Sequence, residues 1–172
     1  AITGGADAAL FTLDSVTGVL AFKTAPNFES PGSAAHTNSY ALTIAVSDPL
    51  GAKNSYNFTV VVKDAAEAPA NFGTTGLSVY ENDWTGSTVG YVTATDQDIG
   101  DKLTYALLNT YGGAFAIDPA TGKITLASAG PLAGLGGQTL SLPFSVTDST
   151  GLSVTKNFDV TVSASSTNIF HG

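Results

Sequence analysis

Five carboxylates crowd two short segments of this chain. Asp64 and Glu67 belong to Lys63-Asp64-Ala65-Ala66-Glu67-Ala68-Pro69, and Asp96, Asp98 and Asp101 belong to Asp96-Gln97-Asp98-Ile99-Gly100-Asp101. Asp148 directly follows the apolar stretch 140–147, and Glu29 stands in the polar stretch 27–38. Carboxylates packed close together repel and raise one another's pKa unless a cation comes between them. Calcium suits such a group, because it takes roughly six to eight oxygens from carboxylates, carbonyls and water in a tolerant geometry. In Asp96-Gln97-Asp98-Ile99-Gly100 two side chains can converge while the glycine lets the backbone bend. Taken alone, an Asp-x-Asp reads first as a solvated turn. The company of the connector acids favours a metal.

The elements that must position these acids are strands. Tyr40-Ala41-Leu42-Thr43-Ile44-Ala45-Val46, Phe58-Thr59-Val60-Val61-Val62 and Phe158-Asp159-Val160-Thr161-Val162 alternate with period two. No long stretch follows the helical period. Asp14-Ser15-Val16-Thr17-Gly18, Asp48-Pro49-Leu50-Gly51, Asp118-Pro119-Ala120-Thr121-Gly122 and Asp148-Ser149-Thr150-Gly151 read as turns. In each, the Asp side chain can accept from the backbone two residues on, and the Gly can take positive φ. Short strands between such turns predict an all-β sandwich or barrel.

The chain also repeats itself. Phe11 to Gly18 lines up with Phe115 to Gly122 at an offset of 104, and Tyr40 to Asp64 with Leu140 to Ala164 at an offset of 100. The second window shares Leu42/Leu142, Val46/Val146, Asp48/Asp148, Phe58/Phe158 and Val62/Val162. Two tandem seven-strand Greek-key sandwiches are therefore expected, the first truncated at its N-terminal side. Residues 1–65 would be the later part of one repeat, 66–164 a complete repeat, and 165–172 a tail or linker. A sandwich without its first strands is expected to have an exposed edge and an open core. Loops after alternate strands cluster at one end of a sandwich, so Asp96, Asp98, Asp101 and Asp148 can share the end facing the connector. Glu29 could face it from the other side.

Composition narrows the function. Fourteen acids against six lysines, with no arginine, give a formal charge of -8, yet only 12% of residues are charged. No row of phosphates could be neutralised, which argues against nucleic acid, and the same sign disfavours anionic membranes. The lack of cysteine removes disulfides, thiolate metal sites and cysteine catalysis together. No run approaches the ~18 apolar residues of a membrane span, and no basic-then-apolar leader is present. Either the chain is cytosolic or an export signal lies outside it.

The order of motifs in the second repeat resembles tandem cadherin repeats in the bacterial cadherin-like form. It runs Val79-Tyr80-Glu81-Asn82, Val92-Thr93-Ala94-Thr95-Asp96-Gln97-Asp98, Leu103-Thr104-Tyr105, Phe115-Ala116-Ile117-Asp118-Pro119-Ala120-Thr121-Gly122 and Phe144-Ser145-Val146-Thr147-Asp148. The first repeat carries the later half of the series and the connector. The resemblance implies a secreted or cell-surface module for adhesion or spacing, stiffened by calcium between repeats, with another adhesin copy or a surface polysaccharide as partner. It implies ligands at Glu29, Glu67, Asp96, Asp98 and Asp148, a less direct role for Asp64, and a backbone carbonyl near Asp101. Ala66 stands where the connector normally has a ligand Asn, Asn27 replaces an acid, and the upstream Glu of repeat one is not in the chain. One or two ions are therefore expected rather than three. Glu81 is of the kind that serves the junction after repeat two. However, Leu126 to Gln138 has no acid, and Ala164-Ser165-Ser166-Thr167 replaces the acidic connector.

Other features weigh less. Trp84 could stack on a sugar ring, with Tyr80, Tyr91 and Tyr111 adding aromatic surface. Some bacterial cadherin-like modules bind polysaccharide, so the resemblance also implies a calcium-stabilised lectin-like alternative with exopolysaccharide or plant polysaccharide as ligand. The plainer expectation is that Trp84 covers an end of the sandwich. His36 and His171 have no partner identifiable in the sequence, no catalytic or phosphate-loop motif is present, and Gly134-Leu135-Gly136-Gly137 reads as a flexible linker. No enzymatic role is expected.

Overall fold

The structure is a computed structural model, and it describes residues 1–165; of the expected tail, 166–172 lie outside the described residues. The chain divides into two compact units, Ala1–Ala65 and Ala66–Gly172. Among the described residues all regular structure is strand, apart from single 3-10 turns at Ala8–Leu10 and Gly130–Leu132.

Unit 1 contains β1 (Ile2–Gly4), β2 (Phe11–Leu13), β3 (Leu20–Phe22), β4 (Ser39–Ser47) and β5 (Lys53–Val61). Unit 2 contains β6 (Ala70–Thr74), β7 (Leu77–Tyr80), β8 (Thr88–Thr95), β9 (Thr104–Leu107), β10 (Phe115–Ile117), β11 (Lys123–Leu126), β12 (Thr139–Thr147) and β13 (Ser153–Ser163).

In unit 2 two four-stranded sheets, ordered β10-β11-β8-β6 and β7-β13-β12-β9, form a sandwich. The period-two pattern decides which face is inward. Leu140, Leu142, Phe144 and Val146 of β12 are buried, as are Phe158, Val160 and Val162 of β13, while their neighbours point outward. The seven expected strands are present, with the first divided in two. β6 pairs antiparallel with β8, and β7 then crosses to the other sheet and pairs parallel with β13, Leu77 beside Val160 and Val79 beside Val162. Gly76, at φ +92, makes that change of sheet.

Unit 1 repeats the later strands only. β1, β4 and β5 form one sheet and β2 and β3 a second, with no strand corresponding to β6, β7 or β8. Its core is correspondingly small: Phe11, Tyr40 and Leu42 are buried, with the Phe22 ring 4.3 Å from Phe11 and edge-on to Tyr40 at 5.1 Å. Phe158 is 8% exposed because Phe72 of β6 packs edge-on against it at 5.1 Å. Its equivalent in β5, Phe58, is 46% exposed.

The turn acids behave as the sequence suggests. Asp14 accepts from the amides of Val16 and Thr17, and Asp118 from those of Ala120 and Thr121. Gly122 adds a packing reason to its positive φ of +68, since a Cβ there would lie 2.2 Å from the Val92 carbonyl oxygen.

The contrast between equivalent phenylalanines gives a test of this packing. Phe158→Ala is expected to destabilise unit 2 by about 3–5 kcal/mol, the usual cost of emptying a packed aromatic site. Phe58→Ala should cost unit 1 about 1 kcal/mol or less. Urea unfolding of both variants checks this, and equal losses would contradict the packing described.

Candidate metal centre

The loop that follows β8 is built around Asp98. The Asp98 amide donates to Asp96 Oδ1 at 3.0 Å, and the Asp101 amide donates to the Asp98 carbonyl at 3.2 Å. Gly100, at φ +89, permits the tight return. The Glu67 amide, at the start of unit 2, donates to Asp98 Oδ2 at 3.2 Å. The loop after β12 joins them through the Ser149 hydroxyl, which donates to Asp101 Oδ1. Carboxylate oxygens of Asp96, Asp98 and Asp101 lie within 4.8 Å of one another.

Asp148 is buried and lies outside that triangle of oxygens. Its Oδ1 accepts from the Thr150 amide, the Thr150 hydroxyl and the Leu152 amide, each at 2.8 Å. Burial pushes the Asp148 carboxyl up. Hydrogen bonds from the Thr150 hydroxyl and from the amides of Leu152, Gly151 and Thr150 outweigh that, so its pKa falls below the ordinary 3.8.

Four carboxylate oxygens here are buried with no hydrogen-bond partner: Asp96 Oδ2, Asp98 Oδ1, Asp101 Oδ2 and Asp148 Oδ2. A buried anionic oxygen left unmet is costly, and pairing with a cation removes that cost. The residues present therefore fit a hard divalent ion.

The remaining expected ligands belong to other segments. Glu29 is a half-buried residue of the loop between β3 and β4 in unit 1, and Asp64 is exposed beyond the end of β5. Asn27, which replaces the acid of the family pattern, accepts on its side-chain oxygen from the amides of Glu29 and Ser30, holding the turn that presents Glu29. Asn38 donates to the Phe28 carbonyl at 2.9 Å. Asp7 is a residue that the motifs missed. Only 3% exposed, it accepts from Ala34 at 2.7 Å and from Ala41 of β4 at 2.7 Å, tying the Glu29 loop to the sheet. Its repeat-two equivalent is Tyr111, so the repeat carried no signal for it.

Trp84 is 76% exposed in the loop between β7 and β8, so it does not cover the sandwich end as expected. Tyr111 packs against the unit 2 core instead of adding free aromatic surface. His36 is an exposed turn residue at φ 52, and His171 lies outside the described residues.

No family model matches the chain. It is 31% identical over 127 residues to protocadherin Fat 4 of Mus musculus, across 71% of this chain and 2% of that protein. It is 34% identical over 113 residues to cadherin-4 of Caenorhabditis elegans, across 64% of this chain and 3% of that protein. The fold matches a crystal structure of human protocadherin-24 EC1-2 with a TM-score of 0.66 at 22% identity, covering 96% of this chain and 80% of that one. The chain carries tandem cadherin-like repeats. Both matched relatives are animal proteins, so the bacterial form rests on the sequence motifs alone. The chain spans only 2–3% of the length of these relatives.

The hydrogen bonds to Asp148 set a pH dependence. A carboxyl whose folded pKa is lowered contributes stability that is present above its unfolded pKa and is lost as pH falls through its folded one. In calcium-free buffer, unit 2 should therefore lose stability as pH drops below the ordinary 3.8, and Asp148→Asn should flatten that part of the profile. Unfolding midpoints across a pH series check it. Parallel profiles would contradict it.

Proposed function

We propose that this chain is a calcium-dependent extracellular module for adhesion or spacing, in which calcium bound between the cadherin-like repeats stiffens the pair. The observation that carries the reading is the group of four buried, unpartnered carboxylate oxygens on Asp96, Asp98, Asp101 and Asp148. Asp96, Asp98, Asp101 and Asp148 would hold an ion from unit 2, joined by Glu67, whose amide is already on Asp98. Glu29 and Asp64 would complete the set from unit 1. Asp64 and Glu67 stand three residues apart across the boundary between units, so chain connectivity keeps both near any ion there.

The ion would supply positive charge to oxygens that nothing else satisfies. One or two ions would bring the formal charge from -8 to about -6 or -4. Extracellular calcium modules bind at about 10⁻⁴–10⁻³ M, so the site would fill outside the cell and empty at cytosolic levels. The cadherin relatives support a cell-surface or secreted location. Among the described residues no helix is long and apolar enough to cross a membrane. Partners would be calcium and another copy or a related surface protein. The work is mechanical and associative rather than catalytic.

Calorimetric titration tests the reading. The wild type should bind one or two calcium ions, and Asp98→Ala should abolish most of that binding. At ten to a hundred times its Kd, one ion should stabilise the fold by about 1.4–2.7 kcal/mol, seen as a fall in melting temperature on chelation. Unchanged binding in Asp98→Ala would remove the central residue. An unchanged scattering envelope on chelation would remove the stiffening.

A further inference from the structure

Glu81, directly after β7, has both carboxylate oxygens met by donors, whereas each acid of the Asp98 loop has one oxygen unmet. Its Oε2 accepts from the amides of Gly134 and Gly136, each at 3.1 Å. Its Oε1 accepts from the Ser165 amide at 3.1 Å and the Ser165 hydroxyl at 3.0 Å. Its own amide donates to the Ser163 carbonyl at 3.0 Å. Among the described residues the four groups that bond the carboxylate are donors, and they hold its pKa below the ordinary 4.5, the Ser165 amide and hydroxyl foremost and then Gly136.

The glycine-rich segment that read as a flexible linker is folded around this carboxylate. Leu132 is buried in the unit 2 core and Leu135 packs against it, which anchors the segment. The Gly137 amide donates to the Val162 carbonyl and the Val162 amide to the Gln138 carbonyl, fastening the far side to β13. Gly134 has φ +79, and a Cβ on Gly136 would lie 2.6 Å from Ala164 Cα, so glycine alone permits the approach. Backbone amides that converge on one point make an anion-binding concavity.

We propose that Gly134, Gly136 and Ser165 form a carboxylate-binding nest whose permanent guest is Glu81, and that this end of unit 2 is closed by that clasp without a divalent ion. A cation here would face N–H dipoles, and calcium needs roughly six to eight oxygens, whereas the segment from Leu126 to Gln138 contains no acid. The site is distinct from the Asp98 loop. β12 runs nine residues, Thr139 to Thr147, between the two, which separates them by about 30 Å.

Two measurements test the clasp. In calcium-free buffer Glu81→Gln, which cannot accept at both former oxygens, should lower the melting temperature of unit 2 by about 4–8 °C. The same drop should appear with calcium present, and the calorimetric stoichiometry should be unchanged. An unaltered melting temperature, a drop seen only with calcium, or the loss of a bound ion would overturn the proposal. In the wild type, amide resonances of Gly134, Gly136 and Ser165 should stay fixed during calcium titration while those of Glu67 and Asp98 move; movement of the former would overturn it. A chain that bound no calcium anywhere would defeat only the function proposed above, because the calcium-free melting of Glu81→Gln still decides the clasp.

Discussion

A carboxylate removed from water must be met by something, and much of unit 2 is arranged around how each one is met. Asp118, which stays exposed to water, is met as well by two amides of its own turn. Asp148 is answered on one oxygen by Thr150 and Leu152, and its other oxygen is buried and unmet. Asp96, Asp98 and Asp101 each satisfy one oxygen through the loop or its neighbours and leave the other buried without a partner. That pattern organises the loop and exposes it to instability at once. Hydrogen bonds fix where the charges stand, and the same fixing prevents them from moving apart.

The sandwich supplies the rigidity this needs. β8 and β12 belong to different sheets, and the loops that leave them carry Asp96, Asp98 and Asp101 on one side and Asp148 and Ser149 on the other. The contact between the two loops, Ser149 to Asp101, therefore depends on how the sheets pack. Phe144, Phe158 and Phe72 fill the core between them, so apolar burial at the centre holds polar groups in register at the end. Unit 1 shows the converse. With a core of three buried residues, it fixes the Glu29 loop by polar means, through Asp7, Asn27 and Asn38.

The strands, the turn acids and the tandem organisation were legible because each leaves a local trace: a period of two, an Asp followed by a Gly, a register offset. The candidate ligands of unit 2 were legible for a related reason, since Asp-x-Asp and the acid after a strand are short-range patterns. The sequence did not disclose what depends on distant partners. The crossing of the first strand between sheets at Gly76 is set by pairing with β13, some eighty residues away. Trp84 carries no mark of its exposure, because a lone aromatic in a loop suits either a covered end or a bare one. Asp7 gave no signal because the amides that hold it lie 27 and 34 residues further on.

Glu81 shows why residue type alone cannot assign a ligand. It stands in the same kind of motif as the junction acids and has the same functional group, yet it is surrounded by N–H and O–H donors. In the Asp98 loop each carboxylate has one oxygen met by a donor and the other buried without a partner beside its neighbours' oxygens. Polarity of the surroundings, not the presence of an acid, separates a carboxylate that can recruit a cation from one already neutralised by backbone dipoles. The formal charge of -8 is thus not a uniform property of the surface. Part of it is answered within the fold, at Asp118 and Glu81, and part is concentrated where buried oxygens have no partner. The second part has no answer among the described residues.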